Sequence, residues 1–201
     1  YTFSGDTLFF CDSYGRVMVY QNGGVQSVGY RPIYGTHVAL YENHLVVGNY
    51  STSPIINTTL SNIVGWSDLN NLHAFFATDV NEADQTLLPV AALPADTVGQ
   101  KGICGLWVTQ TSLFVITTTG IHRTSYYGLP VVFSFKFYTA VAARASFARP
   151  VESMAGLYIV TDDNILRFNG AQLVEVSKPL NGLRAYYTNT TRNFASFYMG
   201  L

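Results

Sequence analysis

A strand–turn–strand pattern recurs along this chain with the same punctuation. It reads Thr7-Leu8-Phe9-Phe10-Cys11-Asp12-Ser13-Tyr14-Gly15-Arg16-Val17, then Ser112-Leu113-Phe114-Val115-Ile116-Thr117-Thr118-Thr119-Gly120-Ile121. It returns as Gly156-Leu157-Tyr158-Ile159-Val160-Thr161-Asp162-Asp163-Asn164-Ile165, with a weaker copy at His44-Leu45-Val46-Val47-Gly48-Asn49. Each copy is an apolar run of β-branched and aromatic residues, a polar turn and a second strand. The turns close on Gly or Asn, which accept positive φ at least cost. Leu8, Leu45, Leu113 and Leu157 are separated by 37, 68 and 44 residues. Repeats of about 40 residues with four short strands each build β-propellers. The chain is therefore expected to be all-β, a β-propeller or part of one, with about four detectable blades.

At 201 residues the chain reads as a single domain over 1–201, long enough to bury its own core. It opens on Tyr1 and enters a strand pattern almost at once, which suggests a fragment of a longer polypeptide. Charged residues make up 11%, against roughly 25% in average soluble domains, while aromatics reach 14%. So few charges suit a surface largely covered by neighbours. The charges are also split. Residues 1–100 carry eight acids against Arg16 and Arg31, and residues 101–201 carry nine bases against four acids. A division of this kind can orient one copy against another. Cys11 and Cys104 both lie in apolar strand runs and read as buried thiols rather than a disulfide. No apolar run is long enough for a membrane-spanning helix. Three glycosylation-like sequons, at Asn49, Asn57 and Asn189, read as turn chemistry.

The pattern places strands at 7–11, 16–20 and 25–28, a hairpin over 38–48 and another over 103–117. Alternation over 131–138 predicts one continuous strand, and 153–176 predicts three more, with turns at Asp162-Asp163-Asn164 and Asn169-Gly170. A final pair is expected at 185–187 and 194–198. The rhythm breaks over 51–101, where an outer strand ending near Trp66 leads into an irregular insertion over about 70–101, with a short helix near 82–88. Insertions of this length usually carry a function. The acidic residues Asp79, Glu82, Asp84 and Asp96 within it are the expected partner interface.

Few residue groups suggest chemistry. His37, Glu42 and His44 could be drawn as a metal cluster, but alternation in a simple hairpin is expected to turn the two histidines to opposite faces. Asp162-Asp163-Asn164 lacks the Gly and terminal Glu of a calcium loop. Neither cysteine nor any serine sits in a nucleophile motif. Asp68 beside Trp66 is the least implausible seed for glycoside hydrolysis, yet Trp66 is better placed in a blade core and Asp68 as a cap on the turn at Asn70-Asn71. Arg123, Lys136, Arg144, Arg149, Arg167, Lys178, Arg184 and Arg192 are spaced evenly enough to line one face, which would permit passing contact with DNA. No catalytic constellation, metal site or cofactor is expected.

Three stretches carry a resemblance. Asn62-Ile63-Val64-Gly65-Trp66-Ser67-Asp68 resembles the Val-x-Trp-Ser-Asp outer strand of propeller-bearing virion proteins of short-tailed bacteriophages. Leu113 to Ile121 resembles the inner-strand hairpin that follows it there, and Tyr158 to Gly170 resembles the next blade, with Asp163-Asn164 in place of the family's Asp-Gly. The likeness covers about residues 36–182. It implies a tail hub or nozzle component: a non-enzymatic protein of the virion tail, assembled in the host cytoplasm. Its partners would be other copies of itself in a ring, adjacent tail and adaptor proteins, and DNA passing through the channel. An alternative reading is a carbohydrate-binding propeller domain that recognises a receptor, with Trp66, Tyr126 and Tyr127 as sugar platforms.

Overall fold

A computed structural model describes residues 1–29, 31–53, 62–76, 81–88, 102–141, 150–161 and 164–176. These residues form strands and turns, with no helix among them. Sheet I holds β1 (Thr2–Ser4), β2 (Thr7–Cys11), β3 (Val17–Gln21) and β4 (Gly24–Ser27). Sheet II holds β5 (His37–Tyr41), β6 (His44–Gly48), β7 (Ile63–Trp66) and β8 (Asp84–Leu87). Sheet III holds β9 (Ile103–Val108), β10 (Leu113–Thr117), β11 (Gly120–Thr124) and β12 (Lys136–Ala140). Sheet IV holds β13 (Val151–Ser153), β14 (Gly156–Val160), β15 (Ile165–Phe168) and β16 (Leu173–Glu175). Each sheet is a four-stranded antiparallel meander in chain order. The repeated runs of the sequence are the second strand of every sheet.

Turn chemistry fixes these meanders. Asn22 and Gly23, at φ 52° and 78°, close the two-residue link between β3 and β4. Glu42 and Asn43, at 47° and 59°, do the same between β5 and β6. Three apolar clusters join the sheets pairwise. Phe9, Val17 and Val19 of sheet I meet Val38, Leu45 and Val47 of sheet II. Val46, Val64 and Trp66 of sheet II meet Ile103, Leu113 and Val115 of sheet III. Trp107, Phe114 and Ile116 of sheet III meet Leu157, Ile159 and Phe168 of sheet IV. Both faces of β6 and β10 are thus buried, and each fully buried Leu, Val or Phe contributes about 1.5–3 kcal/mol. Gly65 shows how close the packing is: a Cβ there would lie 2.6 Å from the ring of Tyr50, which stacks on Phe75.

Several expectations need correction. The segment expected as a helix near 82–88 is strand β8, because an edge of β7 was available to pair from Ile63 to Trp66 and tertiary pairing outweighs local propensity. The insertion over 70–101 therefore contains a strand of sheet II, and its residues 77–80 and 89–101 lie outside the described ones. The strand expected over 131–138 is confined to β12 from Lys136, since Phe133 instead bridges to Tyr126. Strands β1 and β13, three residues each, have too few side chains to show alternation. The expected pair at 185–198 lies outside the described residues. Cys104 is buried while Cys11 is only partly so, and neither forms a disulfide.

Candidate functional site

A polar grouping among the described residues sits in the seam between sheets II and III, and it starts from the end of β7. Ser67 Oγ accepts from the Leu45 N–H at 2.9 Å and donates to the Asp68 carbonyl at 3.1 Å. Asp68 Oδ1 accepts from the N–H groups of Leu69 at 2.9 Å and Glu82 at 2.8 Å. The turn that follows passes through Asn70 at φ 56° and returns the Ala74 carbonyl to the Asp68 N–H at 2.7 Å. Trp66 Nε1 donates to the Glu82 carbonyl at 2.8 Å. The backbone of Glu82 is thereby held on both sides, and its carboxylate is aimed into the seam.

That carboxylate meets two groups. Tyr126 donates its hydroxyl proton to Glu82, 3.1 Å from Oε1 and 3.0 Å from Oε2. His44 Nε2 lies 3.1 Å from Oε2, while its Nδ1 lies 2.7 Å from the Glu42 carbonyl. A carbonyl can only accept, so Nδ1 carries a proton. The Nε2–Oε2 contact then holds one further proton between imidazole and carboxylate. Aromatic rings enclose the pair: Phe133 lies edge-on to His44 at 5.2 Å and to Trp66 at 5.3 Å, and Tyr126 lies 5.5 Å from His44. Burial, followed by the hydrogen bond to Glu82, raises the Tyr126 hydroxyl above its ordinary pKa. His44 is 0% exposed, and the Glu82 side chain 13%. A carboxylate, an imidazole and a phenol stand in an acid–base order, but each is occupied by the others. The arrangement works as a latch between two sheets.

The far end of the same seam has a second clamp. Buried Asn49 donates through Nδ2 to the Ile103 carbonyl at 2.8 Å and accepts from the Ile103 N–H through Oδ1 at 2.8 Å. His37 Nε2 donates to the same carbonyl at 3.1 Å. His37 and His44 in fact share a face of the β5–β6 hairpin, because His37 pairs with Gly48 and Tyr41 pairs with His44. They lie at its opposite ends, roughly 13 Å apart at about 3.3 Å per residue. No group of three metal-ligating side chains occurs among the described residues.

The predicted site residues separate accordingly. Glu82, expected at a partner interface, turns inward as the centre of the latch. Asp84 is exposed on β8. Asp79 and Asp96 lie outside the described residues, as do Arg144, Arg149, Lys178, Arg184 and Arg192. Trp66 is 3% exposed, so its ring offers no open face to a sugar. Tyr126 is bound to Glu82, whereas Tyr127 is 58% exposed on a loop it shares with Leu129 and Val131. Arg123 and Lys136 are cross-strand partners on sheet III, with Arg123 Nε donating to Ser112 Oγ at 2.9 Å. Sequence reasoning missed His44 as the partner of Glu82, since 38 residues separate them and no motif links them. No protein-family model matches the chain, and no curated protein matches it in sequence.

Proposed function

We propose that this chain is a non-enzymatic structural component of a phage tail, a hub or nozzle protein that assembles as a ring around the DNA exit channel and docks neighbouring tail proteins. Its four sheets would be successive blades of a β-propeller. The observation that carries the reading is the serial packing of four like sheets, each buried against the next, with the polar side chains of the best-defined site spent on joining sheets. The resemblance of residues 62–68, 113–121 and 158–170 to propeller-bearing tail proteins supplies the biological setting. The virion tail would be its location after assembly in the host cytoplasm. Exposed Tyr127, Leu129 and Val131 form an uncharged loop suited to contact with another protein.

The carbohydrate-binding reading keeps one open ring, Tyr127, because Trp66 is enclosed and Tyr126 is committed to Glu82. Electron microscopy of the chain mixed with tail proteins encoded beside it tests the choice. Rings with a central channel that incorporate those proteins are the expected result. Particles that recruit none of them, together with glycan binding lost in Tyr127→Ala, would overturn it.

A further inference from the structure

Asn-Gly pairs occur three times in the chain, at 22–23, 169–170 and 181–182. The last lies outside the described residues. In such a pair the missing Cβ leaves the glycine nitrogen open to approach by the asparagine side chain. Both described pairs sit at hairpin tips, Asn22-Gly23 between β3 and β4 and Asn169-Gly170 between β15 and β16. Both asparagines are exposed, yet their side chains are held differently.

Asn169 Oδ1 accepts from the N–H groups of Ala171 at 3.0 Å and Gln172 at 2.7 Å. The Asn169 N–H in turn donates to the Gln172 carbonyl at 3.2 Å. Its carboxamide is therefore turned past Gly170 and fixed there, as in an Asx turn. Asn22 has no such anchor, for its side chain makes no hydrogen bond among the described residues. Its turn is closed by the Gln21–Gly24 pair, the last of the hairpin. A Cβ on Gly23 would meet nothing within 4 Å, so the tip has open space around it. Exposed hairpin tips open locally at little cost.

We propose that Asn22 is a site of spontaneous self-modification, in which the Gly23 nitrogen closes on its side chain and the amide leaves as ammonia. The deprotonated Gly23 nitrogen attacks Asn22 Cγ, so the N–Cγ bond forms and the Cγ–Nδ2 bond breaks. The proton given up by the nitrogen passes to water, and the leaving amide takes one from water. A second water then opens the five-membered imide. Attack at Cγ gives aspartate, and attack at the Asn22 backbone carbonyl carbon gives isoaspartate. The net change consumes one water, releases one ammonia and needs no oxidant or reductant. Either product places a negative charge on residue 22. Isoaspartate also adds one backbone atom to a two-residue turn whose length sets the register of β3 with β4. Strand β4 is exposed from Gly24 to Gln26, so backbone pairing is most of what holds it. The tip loosens, while buried Val28, whose N–H donates to the Val17 carbonyl, keeps the far end in place. The inference does not depend on the tail reading above.

The test is a peptide-mapping mass-spectrometry time course of the folded 201-residue chain at mildly alkaline pH, with the guanidinium-unfolded chain in parallel. Each conversion raises the mass by about 1 Da, and backbone fragmentation tells isoaspartate from aspartate. In the folded chain Asn22 should lose its amide about tenfold or more faster than Asn169, whose two extra hydrogen bonds must first open. In guanidinium the two rates should converge, since no fold then distinguishes one Asn-Gly pair from the other. Asn22→Gly accepts the φ of 52° at this position, so it should fold as the wild type and lack the early conversion. Equal rates in the folded chain, a faster Asn169, or a ratio that persists in guanidinium would overturn the proposal. So would an early conversion that survives in Asn22→Gly.

Discussion

The seam between sheets II and III and the seam between sheets III and IV solve the same packing problem with different chemistry. The first is pinned at both ends by buried polar clamps, Glu82 with His44 and Tyr126 at one end and Asn49 with Ile103 at the other. The second is an aromatic cluster in which Phe168 lies edge-on to Phe114 at 5.0 Å and to Trp107 at 5.6 Å. Its side-chain hydrogen bonds are peripheral: Trp107 Nε1 to Glu152 at 3.1 Å and Tyr138 to the Ala171 carbonyl at 3.2 Å. Burial of rings supplies energy but tolerates small slips, whereas a satisfied buried network admits one arrangement. The first seam is built for register and the second for cohesion.

The sharpest way to break that contrast is to truncate one group in each seam. Phe168→Ala removes a side chain that is 0% exposed, and a loss of about 3–5 kcal/mol is expected from the denaturation midpoint at unchanged slope. Glu82→Ala should cost about 2–4 kcal/mol, because His44 Nε2 is left buried without a partner and the half-buried Tyr126 hydroxyl loses its acceptor. Tyr126→Phe, which leaves the Glu82–His44 contact in place, should cost about 1 kcal/mol. If Glu82→Ala proved no worse than Tyr126→Phe, the latch would be a set of independent contacts and the contrast would fall.

Legibility in the sequence divides along the same line. The aromatic seam was readable, since Leu113 to Thr117 and Gly156 to Val160 are short apolar runs rich in β-branched and aromatic residues that end in recognisable turns. Trp66 as a core residue was also readable from the strand that contains it. The latch was not. Glu82 lies in an acidic stretch that reads as a partner interface, and only the pairing of β7 with β8 carries it back against Trp66 and His44. The short helix predicted near 82–88 failed for the same reason: local composition holds no information about a free sheet edge.

Cys104 belongs to the aromatic seam, and burial pushes its thiol up to about 12 from 9.0. The unfolded chain loses this proton first, so the stabilisation is complete below pH 9 and declines as pH rises toward 12. Cys104→Ala should abolish the part of the alkaline decline that begins before the tyrosines titrate. Burial raises Tyr41, Tyr50 and Tyr126 in the same sense from 10.0, so a later decline persists. A disulfide reagent at mild pH should modify native Cys104 roughly a thousandfold more slowly than an exposed cysteine, in proportion to the thiolate fraction. Fast modification at Cys104 would show that this seam opens far more readily than its packing implies.

The smallest effect separates two buried histidines. His44 is satisfied at both ring nitrogens, while His122, 1% exposed on β11, has no hydrogen-bond partner at either. Its cross-strand neighbours are Val115 and Phe137, neither of which can accept a proton, and Arg123 and Lys136 beside them bring only positive charge. Burial accordingly lowers its pKa from 6.5. Below 6.5 the unfolded chain binds a proton that the folded chain resists, so stability is full above that pH and is lost as pH falls through it. His122→Leu removes the orphaned nitrogens along with the titration. It should leave neutral-pH stability unchanged or raise it by about 1 kcal/mol, and it should flatten the acid decline just below pH 6.5. His44→Leu, by contrast, should destabilise at neutral pH, because it strands the Glu82 carboxylate in the seam. Thermal unfolding of both variants across pH 5–7 measures the difference, with roughly 2–4 °C expected per kcal/mol in a domain of this length. Equal behaviour of the two variants would mean that the polar partners of His44 contribute nothing, and the distinction between a pinned seam and a merely cohesive one would not survive it.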